Sequence, residues 1–124
     1  ELPNEADTTF YPATVLDNIT PACRMYREEV FGPAVGIFHA RDAADAVRLA
    51  NDNPFGLGAS IYSANLDKAW ALGQQIEAGS VFINRHTSSD LRLPFGGVKD
   101  SGFGRELSEF GLYEFVNVKA YWQK

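Results

Sequence analysis

Cysteine is almost absent. The single thiol, Cys23, has no second thiol to pair with, so an internal disulfide is excluded and the expectation is a reducing, cytoplasmic setting. Basic charge is also scarce: eleven Lys and Arg stand against sixteen Asp and Glu, for a formal net charge of -5. With no basic stripe along the chain, nucleic acid is not an expected partner. Apolar runs are only a few residues long, so no membrane is expected either. The opening ELPNEADTTFYPATVL lacks a basic start followed by an apolar stretch, and no signal peptide is expected there. His39 and His86 lie far apart, with no Cys or carboxylate at metal spacing, so no metal site is expected. Internal repeats, low-complexity segments and linkers are missing too.

What remains is an ordinary globular composition, 45% hydrophobic and 22% charged, which argues against disorder. The 124 residues suffice for one domain with a core but are few for a whole metabolic enzyme. TFYPATVLDNI (9–19) reads as an extended entry interrupted by Pro12, followed by a loop to Pro33. AVGIFHA (34–40) predicts a buried strand. Asp42 can cap a helix over AADAVRLAND, with Ala43, Ala46, Val47 and Ala50 on one face, ending before Pro54. LGASIYS (57–63) predicts a second strand. Asn65 can cap a helix over 66–77, for which Gly79 is a natural terminating glycine. SVFIN (80–84) predicts a third strand. This alternation is the βαβαβ signature of an α/β fold, an open and mostly parallel sheet with flanking helices. Beyond Asn84 the spacing predicts a long functional loop (85–104), a short helix (105–115) and a final strand (116–122).

The loop contains LPFGGVKDSGFGREL (93–107), whose glycines invite comparison with phosphate-binding loops. Gly97 and Gly102 have the spacing of a P-loop, but Phe103 and Gly104 follow where Lys and Ser or Thr are required, and Lys99 sits inside. GFGREL (102–107) and GLGASI (56–61) each lack the third glycine of a dinucleotide fingerprint, and the second leads into a strand. Glycines that shape a tight backbone remain as the plainer reading. Cys23 is either a nucleophile awaiting a base or a half-buried bystander. Glu29 is either one member of a solvated charge cluster or a ligand-binding group at the mouth of the first predicted strand, where strand carboxyl ends would place a site.

EEVFGP (28–33), NDNPFGLGASIYSANLDKAW (51–70), GSVFIN (79–84) and PFGGVKDSGFGRE (94–106) occur together in this order and spacing. Together they resemble the C-terminal part of an NAD(P)-dependent aldehyde dehydrogenase, over nearly the whole chain. INRHTSSDLRLPFGG (83–97) and GRELSEFGLYEFVN (104–117) are most similar to the succinate-semialdehyde dehydrogenase branch. The resemblance implies that Glu29 accepts from the hydroxyls of the nicotinamide ribose, that Phe31 packs at the nicotinamide end of the cofactor, NAD or NADP, and that Phe95 lines the aldehyde tunnel. It implies Ser89, with Ser88 as neighbour, as a holder of the substrate carboxylate. It implies residues 1–115 as catalytic-domain chain and 116–124 as an oligomerisation strand serving a homo-oligomer, dimer or tetramer.

The family's nucleophilic Cys lies well upstream of Glu-Glu-x-Phe-Gly-Pro in a Gly-Gln-type context, so Cys23 is not that cysteine. The general-base Glu lies upstream as well. No catalytic residue is therefore assigned, and the chain alone is expected to be inactive. The different reading is a standalone module that binds a nucleotide or a partner without chemistry. The absence of an initiator Met, with a beginning in mid-pattern, favours a piece of a longer chain.

Overall fold

The computed structural model describes residues 9–124. The opening residues 1–8, where most of the leader expectation falls, lie outside the described residues. The chain divides into two compact units, residues 1–49 and 50–124.

In the first unit β1 (Thr14–Leu16) pairs in parallel with β2 (Ala34–Gly36), Val15 opposite Val35. Parallel neighbours need a long connection. Residues 17–33 supply it without an α-helix, through one 3-10 turn at Arg24–Tyr26. Tyr26 is buried there and meets the Phe38 ring at 5.6 Å between centroids. Strand β2 is shorter than the expected 34–40 and is not buried: Val35 is 56% exposed, and the backbone bonds to the first strand end at Ile37, whose N–H donates to the Leu16 carbonyl at 2.7 Å. The helix α1 (Ala43–Asn51) follows, with the predicted cap in place: the Asp45 backbone N–H donates to Asp42 Oδ1 at 2.8 Å. Asp45 is itself buried, and its carboxylate accepts from Arg41 at 3.0 Å and Arg48 at 2.9 Å. The hydrogen bonds from Arg41, then that from Arg48, hold the Asp45 carboxyl well below the usual carboxylate range.

The second unit contains β3 (Phe55–Gly56), β4 (Gly58–Ile61), α2 (Leu66–Gly73), β5 (Ser80–Ile83), β6 (Val98–Lys99) and α3 (Ser108–Tyr113). β4, α2 and β5 form the expected βαβ unit, with β4 and β5 parallel and Ala59 opposite Val81. Asn65 caps α2 by accepting from the Lys68 N–H at 2.9 Å. The helix ends at Gly73 rather than at 77, because the Gln75 and Ile76 N–H groups reach back only three residues, to Leu72 and Gly73. The strand pair β3–β6 is antiparallel and was not expected.

Three expectations are corrected. The strands are arranged as three two-stranded sheets rather than one open sheet. Gly79 is not a helix-terminating glycine: a Cβ there would overlap the Gly96 carbonyl, so glycine lets the long loop lie against the start of β5. Residues 117–124 carry no regular structure, and Val118 and Trp122 are 82% and 86% exposed. A strand exists through its partner's hydrogen bonds, and among the described residues this segment has none. The last helix also starts late. Glu106 is committed to a bridge in which it and Phe95 exchange both backbone hydrogen bonds at 2.8 Å. Leu107 then takes φ of 62° and ψ of 172°, outside helical space, and α3 opens only at Ser108.

Candidate functional site

Two places carry the residues singled out above. The first is the loop from the 3-10 turn to β2. Glu28 is held by Arg24, Nη2 to Oε2 at 2.6 Å, one helical turn away. The adjacent Glu29 is exposed and makes no hydrogen bond or ion pair among the described residues. The pair thus divides into one occupied carboxylate and one open one. Phe31 stands 95% exposed two residues on. The backbone beneath is tight, with Gly32 N–H donating to Val30 O at 3.0 Å and Ala34 N–H to Gly32 O at 2.8 Å. This loop enters β2 at its amino end. The strand-end argument for Glu29 therefore fails, and what marks the residue is its unengaged carboxylate beside an exposed ring. An open acceptor with two oxygens fits the vicinal hydroxyls of a ribose, and an exposed aromatic fits a flat heteroaromatic ring.

The second place is the start of the long loop. Asn84 follows β5 with φ of 53° and clamps the turn after β4, accepting from the Ser63 N–H at 2.8 Å and donating to the Ser63 carbonyl at 2.9 Å. The chain then turns, and an Asp90–Arg92 pair at 2.7 Å fixes the bend. Ser88, Ser89 and Phe95 come together on the wall of one hollow of about 290 Å³, with Thr87, Leu57 and Gly58. Ser88 and Phe95 also line a neighbouring pocket of about 440 Å³ that is apolar for most of its surface. That volume lies in the range of small-molecule sites. The two serines differ: Ser89 is exposed, whereas Ser88 Oγ is buried and without a hydrogen-bond partner. A buried hydroxyl left unpaired calls for an explanation, and a missing ligand is one. Arg85, which sequence reasoning did not single out, stands on the larger pocket's wall.

The glycine loop does not cradle phosphate. Lys99 Nζ is consumed by the Asn51 carbonyl at 2.7 Å, the Asn53 carbonyl at 3.1 Å and Glu77 Oε2 at 2.7 Å. Gly104, at φ 66°, takes the left-handed turn after which Glu114 accepts from the Arg105 N–H at 3.2 Å. The motif residues here tie backbone to backbone, in keeping with the plainer reading. Cys23 lies at the start of the 3-10 turn, 3.8 Å from the Thr20 hydroxyl, with no histidine or carboxylate bound to it among the described residues. Among the described residues no group of His, Cys, Asp and Glu could hold a metal, and no helix is long and apolar enough to cross a membrane.

The architecture is that of an α/β fragment with a carboxylate-bearing loop and a serine-walled pocket. The model of the aldehyde dehydrogenase family matches residues 2–121. The chain belongs to the aldehyde dehydrogenase family. It is 51% identical over 114 residues to a succinate semialdehyde dehydrogenase [NAD(P)+] of Escherichia coli K12, covering 92% of this chain and 25% of that protein. It superposes on the succinic semialdehyde dehydrogenase of Streptococcus pyogenes in complex with NADP+ with a TM-score of 0.80 at 43% identity, over 83% of this chain and 23% of that one. It also superposes on the betaine aldehyde dehydrogenase of Staphylococcus aureus in complex with NAD+, with a TM-score of 0.82 at 37% identity, over 86% of this chain and 21% of that one. The chain thus spans about a quarter of the length of the relatives it matches.

Proposed function

We propose that this chain is the C-terminal part of an NAD(P)-dependent aldehyde dehydrogenase that oxidises succinic semialdehyde to its carboxylate. The observation that carries the reading is the convergence of Ser88, Ser89 and Phe95 on one hollow, with a buried Ser88 hydroxyl left without a partner. An apolar wall suits the aliphatic stem of the substrate, and hydroxyl donors suit a carboxylate. Relatives named for succinate semialdehyde support the substrate, and likenesses to structures in complex with NADP+ and NAD+ support the cofactor. The likeness to a betaine aldehyde dehydrogenase means that the fold alone does not choose between substrates.

In this reading Glu29 accepts from the ribose hydroxyls and Phe31 packs against the cofactor's nicotinamide end. A nicotinamide cofactor held there would supply the hydride acceptor. Phe95 walls the aldehyde path and keeps water from it. The thiolate and the base come from chain outside these residues, so this part positions and does not attack. The exposed segment 116–124 pairs with a second copy in a homo-oligomer; sedimentation of the full-length enzyme as a monomer would remove this part of the reading.

The substrate is tested by Ser89→Ala in the full-length enzyme. A hydrogen bond to a charged group contributes about 1.5–3 kcal/mol. The variant is expected to lower kcat/KM on succinic semialdehyde by about tenfold or more, since about 1.4 kcal/mol is a factor of ten. Butanal, of the same length and uncharged, should lose far less. Equal losses on the two aldehydes would remove the carboxylate role.

A further inference from the structure

We infer that Arg85 is a specificity-determining residue, whose guanidinium holds the carboxylate of an aldehyde acid together with the buried Ser88 hydroxyl. The inference rests on the reading above and adds a charge that nothing so far has assigned.

Arg85 and Ser88 line the same pocket of about 440 Å³. The Ser88 hydroxyl is buried without a partner, and Arg85 makes no hydrogen bond or ion pair among the described residues. The titratable groups in the lining are Arg85 and Asp90. A carboxylate in the wall would ordinarily repel an anion. Asp90 is already neutralised, however, accepting from Arg92 Nε at 2.9 Å, Arg92 Nη2 at 2.7 Å and the Arg92 N–H at 3.0 Å. Those bonds hold the Asp90 carboxyl well below the usual carboxylate range, with a smaller contribution from the Arg85 charge. The pocket is thus left with one unspent positive charge, one unspent hydroxyl and a wall of Trp70, Ile83 and Phe95. A short aliphatic chain ending in a carboxylate uses all three. A guanidinium presents a fork of donors that suits the two oxygens of a carboxylate, whereas a hydroxyl alone gives one bond and no charge.

The plainer role for Arg85 is a solvated surface cation, or one drawn towards Asp90. A titration separates these without any turnover. The full-length enzyme is titrated with succinate by calorimetry, beside Arg85→Gln, Arg85→Lys and Ser88→Ala. Charge-assisted hydrogen bonds predict that Arg85→Gln weakens succinate by about 10–100-fold. Arg85→Lys should recover part of the loss, and Ser88→Ala should show a smaller one. In the companion assay, the loss of kcat/KM for Arg85→Gln on succinic semialdehyde should exceed its loss on butanal at least roughly tenfold. Failure of the wild type to bind succinate, or equal binding by Arg85→Gln, overturns the anion site. If the enzyme binds succinate through Arg85 yet oxidises no aldehyde, the dehydrogenase reading falls and the anion site stands.

Discussion

The isolated 124-residue chain is expected to show no aldehyde-dependent reduction of NAD or NADP, whereas the proposed full-length enzyme is expected to turn over. The reason lies in what its one thiol is given. A nucleophilic cysteine works as the thiolate and needs a base or a positive neighbour to make one. Cys23 has the Thr20 backbone and hydroxyl, which lower its pKa, and among the described residues no histidine, lysine or carboxylate is bound to it. A hydroxyl at 3.8 Å neither removes a proton nor activates water. Cys23→Ala in the full-length enzyme is therefore expected to leave kcat within about twofold, as surface substitutions usually do. Two assays check this: the absorbance of reduced nicotinamide with the isolated chain, and the same assay on the variant. Turnover by the isolated chain, abolished by Cys23→Ala, would make Cys23 the nucleophile and overturn the assignment of the thiolate to upstream chain.

What the sequence disclosed was what depends on near neighbours. Asp42 and Asn65 cap their helices as expected, because a short acceptor side chain before a helical face meets the free N–H groups within the same turn. The β4–α2–β5 unit was legible from its period and from the turns around it. What escaped depends on distant partners. β3 and β6 are two residues each, too short to show a period, and they exist because Phe55 meets Lys99 across the chain. Gly79 looked like the end of a helix by its position. Its real constraint is the Gly96 carbonyl, which no local pattern reveals. Lys99 looked like a displaced phosphate lysine, yet its three partners are two backbone carbonyls and Glu77. The two serines were indistinguishable as neighbours in a string. Their difference, a Ser88 hydroxyl buried without a partner and an exposed Ser89, is set by the folded loop and not by the string.

Glu29 marks the same boundary from the other side. From the residues alone it was either one charge of a solvated cluster or a ligand-binding group at a strand mouth, and the strand-end argument did not survive the fold. The structure separates it from Glu28, since Arg24 occupies Glu28 and leaves Glu29 open. Glu29→Gln in the full-length enzyme is expected to slow hydride transfer by about 100-fold. The amide keeps the shape but has one acceptor oxygen in place of two and no charge, so a charge-assisted contact with a diol becomes a weak, one-sided one. The loss falls on geometry, because a misplacement of about 1 Å between reacting centres costs on the order of a hundredfold. The KM for aldehyde should move by less than about threefold, since the substrate wall is untouched. Glu28→Gln is the comparison: it removes an exposed ion pair, of the kind that contributes about 1 kcal/mol or less, and should leave the rate nearly unchanged. Single-turnover absorbance with aldehyde and its 1-deuterated form reads the step directly. A larger isotope effect in Glu29→Gln than in wild type shows that hydride transfer itself has slowed. An unchanged single-turnover rate would return Glu29 to the solvated cluster from which the resemblance lifted it.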